Sequence, residues 1–357
     1  MDQNIIINTA AAGSEQYRNM AIKLVNYAIV LVLLVVLMGG WTRINDAGLS
    51  CPDWPGCFGQ LTVPNSNAEI TAANNLYPQI AVEQSKSWLE MIHRYLAGTL
   101  GLLILALALI AAKLRRITNY PHWLSLSLLV LVVFQALLGM WTVTLKLLPI
   151  IVTAHLFGGL LTTVLLLLLR GKITSQKIYR QQWQVPNYAL LAGLVILFLQ
   201  ILLGGWTSSN YAGWGCSDWL ACNPGLDIEY NFSNAFAITL DTTYSHQGGQ
   251  LPLAERGAIQ ISHRVGALLV VLYFAAVYIF VARHQPWKNY FIALLLLTLL
   301  QIVIGLLNIL WAIPTSLAMA HHFVAVLMLV GTTMLLARSF SHPSGESVDA
   351  ETKFIDR

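Results

Sequence analysis

The sequence predicts an all-α integral membrane protein: eight transmembrane helices arranged as two pseudo-symmetric four-helix bundles. Three observations carry that class. Of the 357 residues, 57% are hydrophobic and 10% charged, with a mean hydropathy of +0.65. A soluble domain carries about 25% charged residues. Eight apolar runs follow one another, each of about 20 residues, the length that crosses a hydrocarbon core as a helix. The first four runs then return, motif by motif, in the last four.

The runs lie at roughly 20–40, 89–112, 122–143, 150–169, 187–206, 259–282, 289–311 and 315–337. Pro121, Pro149, Pro186, Pro286 and Pro314 each fall near a predicted helix start, where proline is tolerated. Residues 1–19 are a polar lead with no small-residue cleavage site beyond the first run, so that run reads as a retained anchor. Of the Lys and Arg residues, fourteen fall on one side of the predicted spans and six on the other. The basic-rich side is cytoplasmic by the positive-inside rule, which puts both termini there and the long loops 43–87 and 207–257 outside. The tail 339–357 is polar and reads as disordered. The net charge of +4 is spread over short loops with no polybasic patch, which argues against a nucleic-acid partner and leaves the lipid bilayer.

The repeat is specific. Gly39-Gly-Trp-Thr returns as Gly204-Gly-Trp-Thr, and Cys51-Pro-Asp-Trp-Pro-Gly-Cys57 as Cys216-Ser-Asp-Trp-Leu-Ala-Cys222. His93-Arg94 returns as His263-Arg264, Gln135 and Gly139 as Gln301 and Gly305, and Ala154-His155 as Ala320-His321, with offsets between 165 and 170. Four helices bring a chain back to its starting side, so the halves are expected to be parallel repeats about an axis along the membrane normal.

Nine histidines are present, and His93, His155, His263 and His321 hold repeat-matched places in even-numbered spans, near the outer face. Two imidazoles at equal depth on neighbouring helices suit bis-imidazole ligation of a haem iron. A buried, hydrogen-bonded structural histidine is the plainer reading of any one of them, but two matched pairs favour ligands. Zinc fits less well, because no third nitrogen or sulfur ligand shares that depth. His322 lies about 100° round the helix from His321 and reads as a neighbour. His122, His246, His284 and His342 read as solvated.

Glu90 lies one turn before His93, and at the matching position stands Gln260, which keeps shape but loses the charge. An ionisable group at membrane depth is a functional candidate. Chemistry is therefore expected in the first half, with Glu90 stabilising positive charge or moving protons, and a supporting redox role in the second. The competing reading is that Glu90 caps its helix. Arg94 and Arg264 match haem propionates or anchor helix ends at the headgroups. Trp41 and Trp206 read as interfacial belt residues, and Gln135 and Gln301 as hydrogen-bonding groups inside the bundle or as ties between helices. The outer-loop cysteines form two C-x5-C pairs, expected as the disulfides Cys51–Cys57 and Cys216–Cys222. They serve either as staples or as redox-exchanging pairs.

Glu90-Met-Ile-His-Arg94, Ala154-His155, Ile261-Ser-His-Arg264, Ala320-His321 and the cysteine pairs together resemble the haem A synthase family, over roughly residues 20–338. The resemblance implies that residues 20–170 hold the substrate, haem O, through His93 and His155, and that residues 187–338 hold a haem b cofactor through His263 and His321. It implies Glu90 as the essential carboxylate. The reaction implied is oxidation of a ring methyl to a formyl group by successive hydroxylations with dioxygen. It also implies a bacterial inner membrane with periplasmic cysteine loops, and a haem O synthase and the cytochrome oxidase assembly machinery as partners. The electron donor is left open, and a homo-oligomer is compatible. The rival expectation is a di-haem b-type electron-transfer cytochrome that oxidises quinol.

Overall fold

The structure is a computed structural model that describes residues 3–115, 120–174 and 184–340, with side chains from residue 15 onward. His342 and the tail beyond residue 340 lie outside the described residues, as do several of the inter-helix basic residues. Ten α-helices are present among the described residues: α1 (Gln3–Ile44), α2 (Asn67–Leu76), α3 (Gln84–Leu114), α4 (His122–Thr144), α5 (Pro149–Thr174), α6 (Val185–Ser209), α7 (Phe232–Ala235), α8 (Leu253–Phe280), α9 (Lys288–Leu310) and α10 (Thr315–Ser339). Strand pairing among those residues is confined to the isolated bridges Cys57–Gln60 and Asp218–Cys222.

Eight of the helices are long and apolar enough to cross a bilayer. Each coincides with a predicted run, because some twenty apolar residues without charge leave a backbone only one way to satisfy its hydrogen bonds in lipid. This is a multi-pass membrane protein. The polar lead is helical as well: α1 starts at Gln3 and runs unbroken through the first span.

Within the first half α1 packs on α3 and α5, and α4 lies against both of those helices. Within the second, α6 packs on α8 and α10, and α9 lies against those two. The halves meet through α1, α5, α6 and α10. Leu100, Ile104, Leu107, Leu160, Leu166, Phe274, Phe291 and Leu329 are among the buried residues of the shared core. The chain leaves α1 through Asp46 (φ 51°) and α6 through Tyr211 (φ 53°), left-handed positions that turn it into the two long loops. The two turns touch. Arg43 pairs with Asp46, its guanidinium sits 4.2 Å over the Tyr211 ring, and the Tyr211 hydroxyl donates to Asp46. Burial pushes the Tyr211 phenol up from its ordinary value.

The first long loop is built on α2, whose Ser66 and Glu69 form a capping box. The backbone N–H groups of Ser66 and Asn65 hold the Glu69 carboxyl below its ordinary value. The second loop carries the short α7, to which Trp206 is tied by an Nε1–H bond to the Ala235 carbonyl at 3.0 Å. At the end of its span, Trp206 anchors that loop. His246 departs from expectation: it is 4% exposed, with Nε2 2.8 Å from the Asp241 carbonyl, because the second loop folds over it.

Candidate functional site

The structure brings the four repeat-matched histidines together in two pairs. His93 of α3 faces His155 of α5, with ring centroids 6.3 Å apart and planes at 83°. His263 of α8 faces His321 of α10, at 6.5 Å and 64°. Two imidazoles on opposite sides of one metal, each bonded at about 2 Å with its ring centroid ~1.2 Å further out, would place the centroids about 6.4 Å apart. Both pairs meet that spacing. Among the described residues no cluster of three or more His, Cys, Asp or Glu could hold a metal ion alone. A two-nitrogen site of this kind suits an iron whose remaining ligands come from a planar macrocycle.

Each imidazole rests on a glycine of a neighbouring helix. A Cβ on Gly39 would lie 3.0 Å from His93 Cε1, and one on Gly204 3.2 Å from His263 Cε1. On Gly139 it would lie 3.4 Å from His155 Cε1, and on Gly305 3.2 Å from His321 Cε1. Any side chain at these places would push the rings off their seats. Four residues before each glycine stands the group facing the ring's other edge: the backbone of Val35, Gln135 and Gln301 for His93, His155 and His321. For His263 it is the Gln200 amide, 3.1 Å from Nδ1 and donating to the His263 carbonyl at 2.9 Å. The Nδ1 atoms of His93, His155 and His321 are buried and complete no hydrogen bond. Buried imidazoles left that way are unfavourable unless a ligand or partner organises them. The residues fit a haem in both pairs.

Sequence reasoning missed Gln200 and the seating glycines, although the Gln-x-x-x-Gly spacing stands at 135–139, 200–204 and 301–305. It assigned Gln135 and Gln301 to hydrogen bonds in the bundle or to ties between helices. Gln135 of α4 packs directly on α5, where a Cβ on Gly158 would collide with its Nε2, while that Nε2 and Gln301 Oε1 are buried without a hydrogen-bond partner.

Glu90 is 4% exposed and belongs to the first long loop as much as to α3. Its Oε2 accepts from Ser50 Oγ at 3.1 Å and from the Cys51 backbone N–H at 3.0 Å, and its Oε1 pairs with Arg94. Ser87 Oγ donates to the Ser50 carbonyl at 3.1 Å. Arg94 in turn donates to the carbonyls of Asp53, Pro55 and Gly56. The helix-cap reading of Glu90 fails, because α3 begins at Gln84 and the carboxylate reaches outward to the loop.

The matching positions behave differently. Gln260 is buried with Oε1 unpaired. Arg264 donates from one terminal nitrogen to the Trp219 carbonyl at 2.8 Å, while its Nε and second terminal nitrogen are buried without partners. Of the two arginines, Arg264 is the one with donors to spare for a carboxylate such as a propionate.

Both cysteine pairs are disulfides, Cys51–Cys57 with Cα atoms 4.7 Å apart and Cys216–Cys222 with 4.4 Å. Each loop is organised by its repeat-matched aspartate. Asp53 accepts from the N–H groups of Phe58 at 2.6 Å and Gly59 at 2.8 Å. Asp218 accepts from Leu220 and Ala221, and those bonds hold its carboxyl below the ordinary value.

The chain was compared with known proteins. The COX15-CtaA family, described as cytochrome oxidase assembly protein, matches residues 23–333. A protein of Shewanella oneidensis named heme A synthase is 40% identical over 311 residues, covering 86% of this chain and 93% of its own length. Heme A synthases of Caulobacter vibrioides and Bradyrhizobium diazoefficiens are each 28% identical, covering 91% and 96% of this chain and 97% of their own length in both cases.

Proposed function

This chain belongs to the COX15-CtaA family of cytochrome oxidase assembly proteins, and from that premise we propose that it is a haem A synthase, a membrane oxidoreductase of haem A biosynthesis. The observation that carries the reading at the level of chemistry is the pair of imidazole couples at 6.3 and 6.5 Å, each ring seated on a glycine. The quinol-oxidising di-haem cytochrome finds no support among the named relatives.

In this reading His93 and His155 hold the substrate haem O, and His263 and His321 hold haem b. When bound, haem b supplies one-electron redox chemistry. The substrate's ring methyl is oxidised to formyl with dioxygen. Each hydroxylation inserts one oxygen atom, reduces the other to water and consumes two electrons and two protons. The second leaves a geminal diol, which loses water. His93 and His155 orient the ring so that one methyl is presented. Glu90, held by Ser50, Cys51 and Arg94, fixes a negative charge at the outer end of that site. The charge offsets cationic character on the oxidised carbon or relays a proton through Oε2. Arg264 is the candidate for a haem b propionate.

The basic residues favour both termini in the cytoplasm and the disulfide loops in the periplasm of a bacterial inner membrane. A haem O synthase is the natural supplier of substrate. The test is co-expression with a haem O synthase in cells that make no haem A, followed by extraction and chromatography of the haems. Haem A or its hydroxylated precursor is expected. Unchanged haem O with only haem b would overturn the assignment.

A further inference from the structure

The Gly-Gly pairs at 39–40 and 204–205 have two faces, and the repeat assigns them different duties. The first glycine of each pair seats the imidazole of its own half. The second faces the other half. A Cβ on Gly205 would lie 2.6 Å from Leu156, the residue after His155. A Cβ on Gly40 would lie 2.5 Å from His322, the residue after His321. So the residue following a ligand histidine on α5 or α10 docks against the glycine next to a ligand seat of the opposite half. Leu156 and His322 hold matching places in the repeat, but only His322 is polar. Its Nε2 lies 3.1 Å from the carbonyl oxygen of Val36 in α1. Val36 and Gly40 immediately follow Val35 and Gly39, the residues that back His93.

We propose that His322 is a positioning residue that ties the second imidazole pair to the first, its hydrogen bond to the Val36 carbonyl fixing α10 against the segment of α1 that seats His93. The inference rests on the reading of both pairs as haem sites. A leucine at this position, as in the matching place of the first half, would pack but not fix the register, because dispersion contacts tolerate sliding along a helix and a hydrogen bond to one carbonyl does not. In a membrane interior that bond also has little competition from water. The two contacts between the halves differ in kind. The His93 seat is indexed to the second site by a polar contact, and the His263 seat to the first by an apolar one.

The test uses the purified full-length protein loaded with both haems, read by the low-spin magnetic-resonance signal of each bis-imidazole site. His322→Leu is expected to shift the signal of the His93–His155 site, on the half that does not contain the mutation. His322→Gln, whose amide can still donate to Val36, is expected to restore it. An unshifted first-site signal in His322→Leu overturns the proposal, as does a glutamine variant displaced as far as the leucine one. If the leucine variant fails to accumulate, Gly40→Ala probes the same contact from the α1 side, and an unshifted first-site signal there overturns it equally. Absence of any bis-imidazole signal in the parent protein would sink the haem-site reading itself, a different failure from an unmoved variant.

Discussion

The two cysteine-loop elements over the histidine pairs share a plan and differ where Glu90 is matched by Gln260. Over the first pair, Glu90 ties Ser50, Cys51 and Arg94 into one network, and Arg94 clasps three loop carbonyls. Over the second, Gln260 and Arg264 stand at the same places with Gln260 Oε1 and two Arg264 nitrogens unpaired. The comparison teaches that the acid does more than its proximity to a ligand suggests. A buried carboxylate is tolerable only when paired and hydrogen-bonded, so Glu90 locks its loop down, whereas the second site keeps guanidinium donors open.

The largest test of the comparison is removal of a ligand from each half. His263→Ala is expected to abolish the haem b spectrum, while His93→Ala should leave it and abolish haem A output. Absorption spectra and haem extraction read both, and an unchanged b-type spectrum in His263→Ala would reverse the assignment of the halves. Next is the charge itself. Glu90→Gln should lower haem A output roughly 10²–10⁴-fold, the range for loss of an acid–base group, with haem b retained. The converse, Gln260→Glu, should loosen haem b without touching the first site, because the new carboxylate competes with a propionate for the free Arg264 donors. Normal output from Glu90→Gln would remove the functional meaning of the asymmetry.

Smaller effects grade the seats. Alanine at Gly39, Gly204, Gly305 and Gly139 would meet an imidazole at 3.0, 3.2, 3.2 and 3.4 Å. Overpacking costs about 1–3 kcal/mol. Gly39→Ala should therefore lower the thermal retention of haem most and Gly139→Ala least, and a reversed order in a haem-loss melt would contradict the seating. The smallest expected effect is loss of a disulfide. Each closes a short loop across a sequence separation of 6, worth about 2 kcal/mol by chain entropy. Thermal midpoints of Cys51→Ser and Cys216→Ser should fall alike. Haem A output should fall further in Cys51→Ser, because only that loop holds Glu90.

Much of this was legible beforehand. The spans followed from hydropathy, and the candidate ligands from histidines recurring at offsets of 170 and 166. The two pairings agree with that reading in bringing His93 to His155 and His263 to His321, but not between neighbouring helices: α3 and α5 both pack on α1 and α4, and α8 and α10 both on α6 and α9, so each pair meets across its four-helix group. What was not legible concerns direction. His246 sits in a polar loop and reads as solvated, yet the loop folds over it. Trp206 reads as a belt residue, and the spacing gives no sign that its N–H ties down the second loop. Glu90 stands near a helix start and reads equally as a cap.

The sequence by itself determined that this chain spans a membrane eight times and carries a repeated histidine set. Both are local properties: uncharged length and spacing do not depend on what lies alongside. Only the tertiary structure decided where Glu90 turns, which glycine lies under which ring, and that His322 reaches Val36. A side chain at a helix surface takes its direction from the neighbour that offers a partner or a space, and a neighbour 286 residues away in the chain leaves no mark on local spacing.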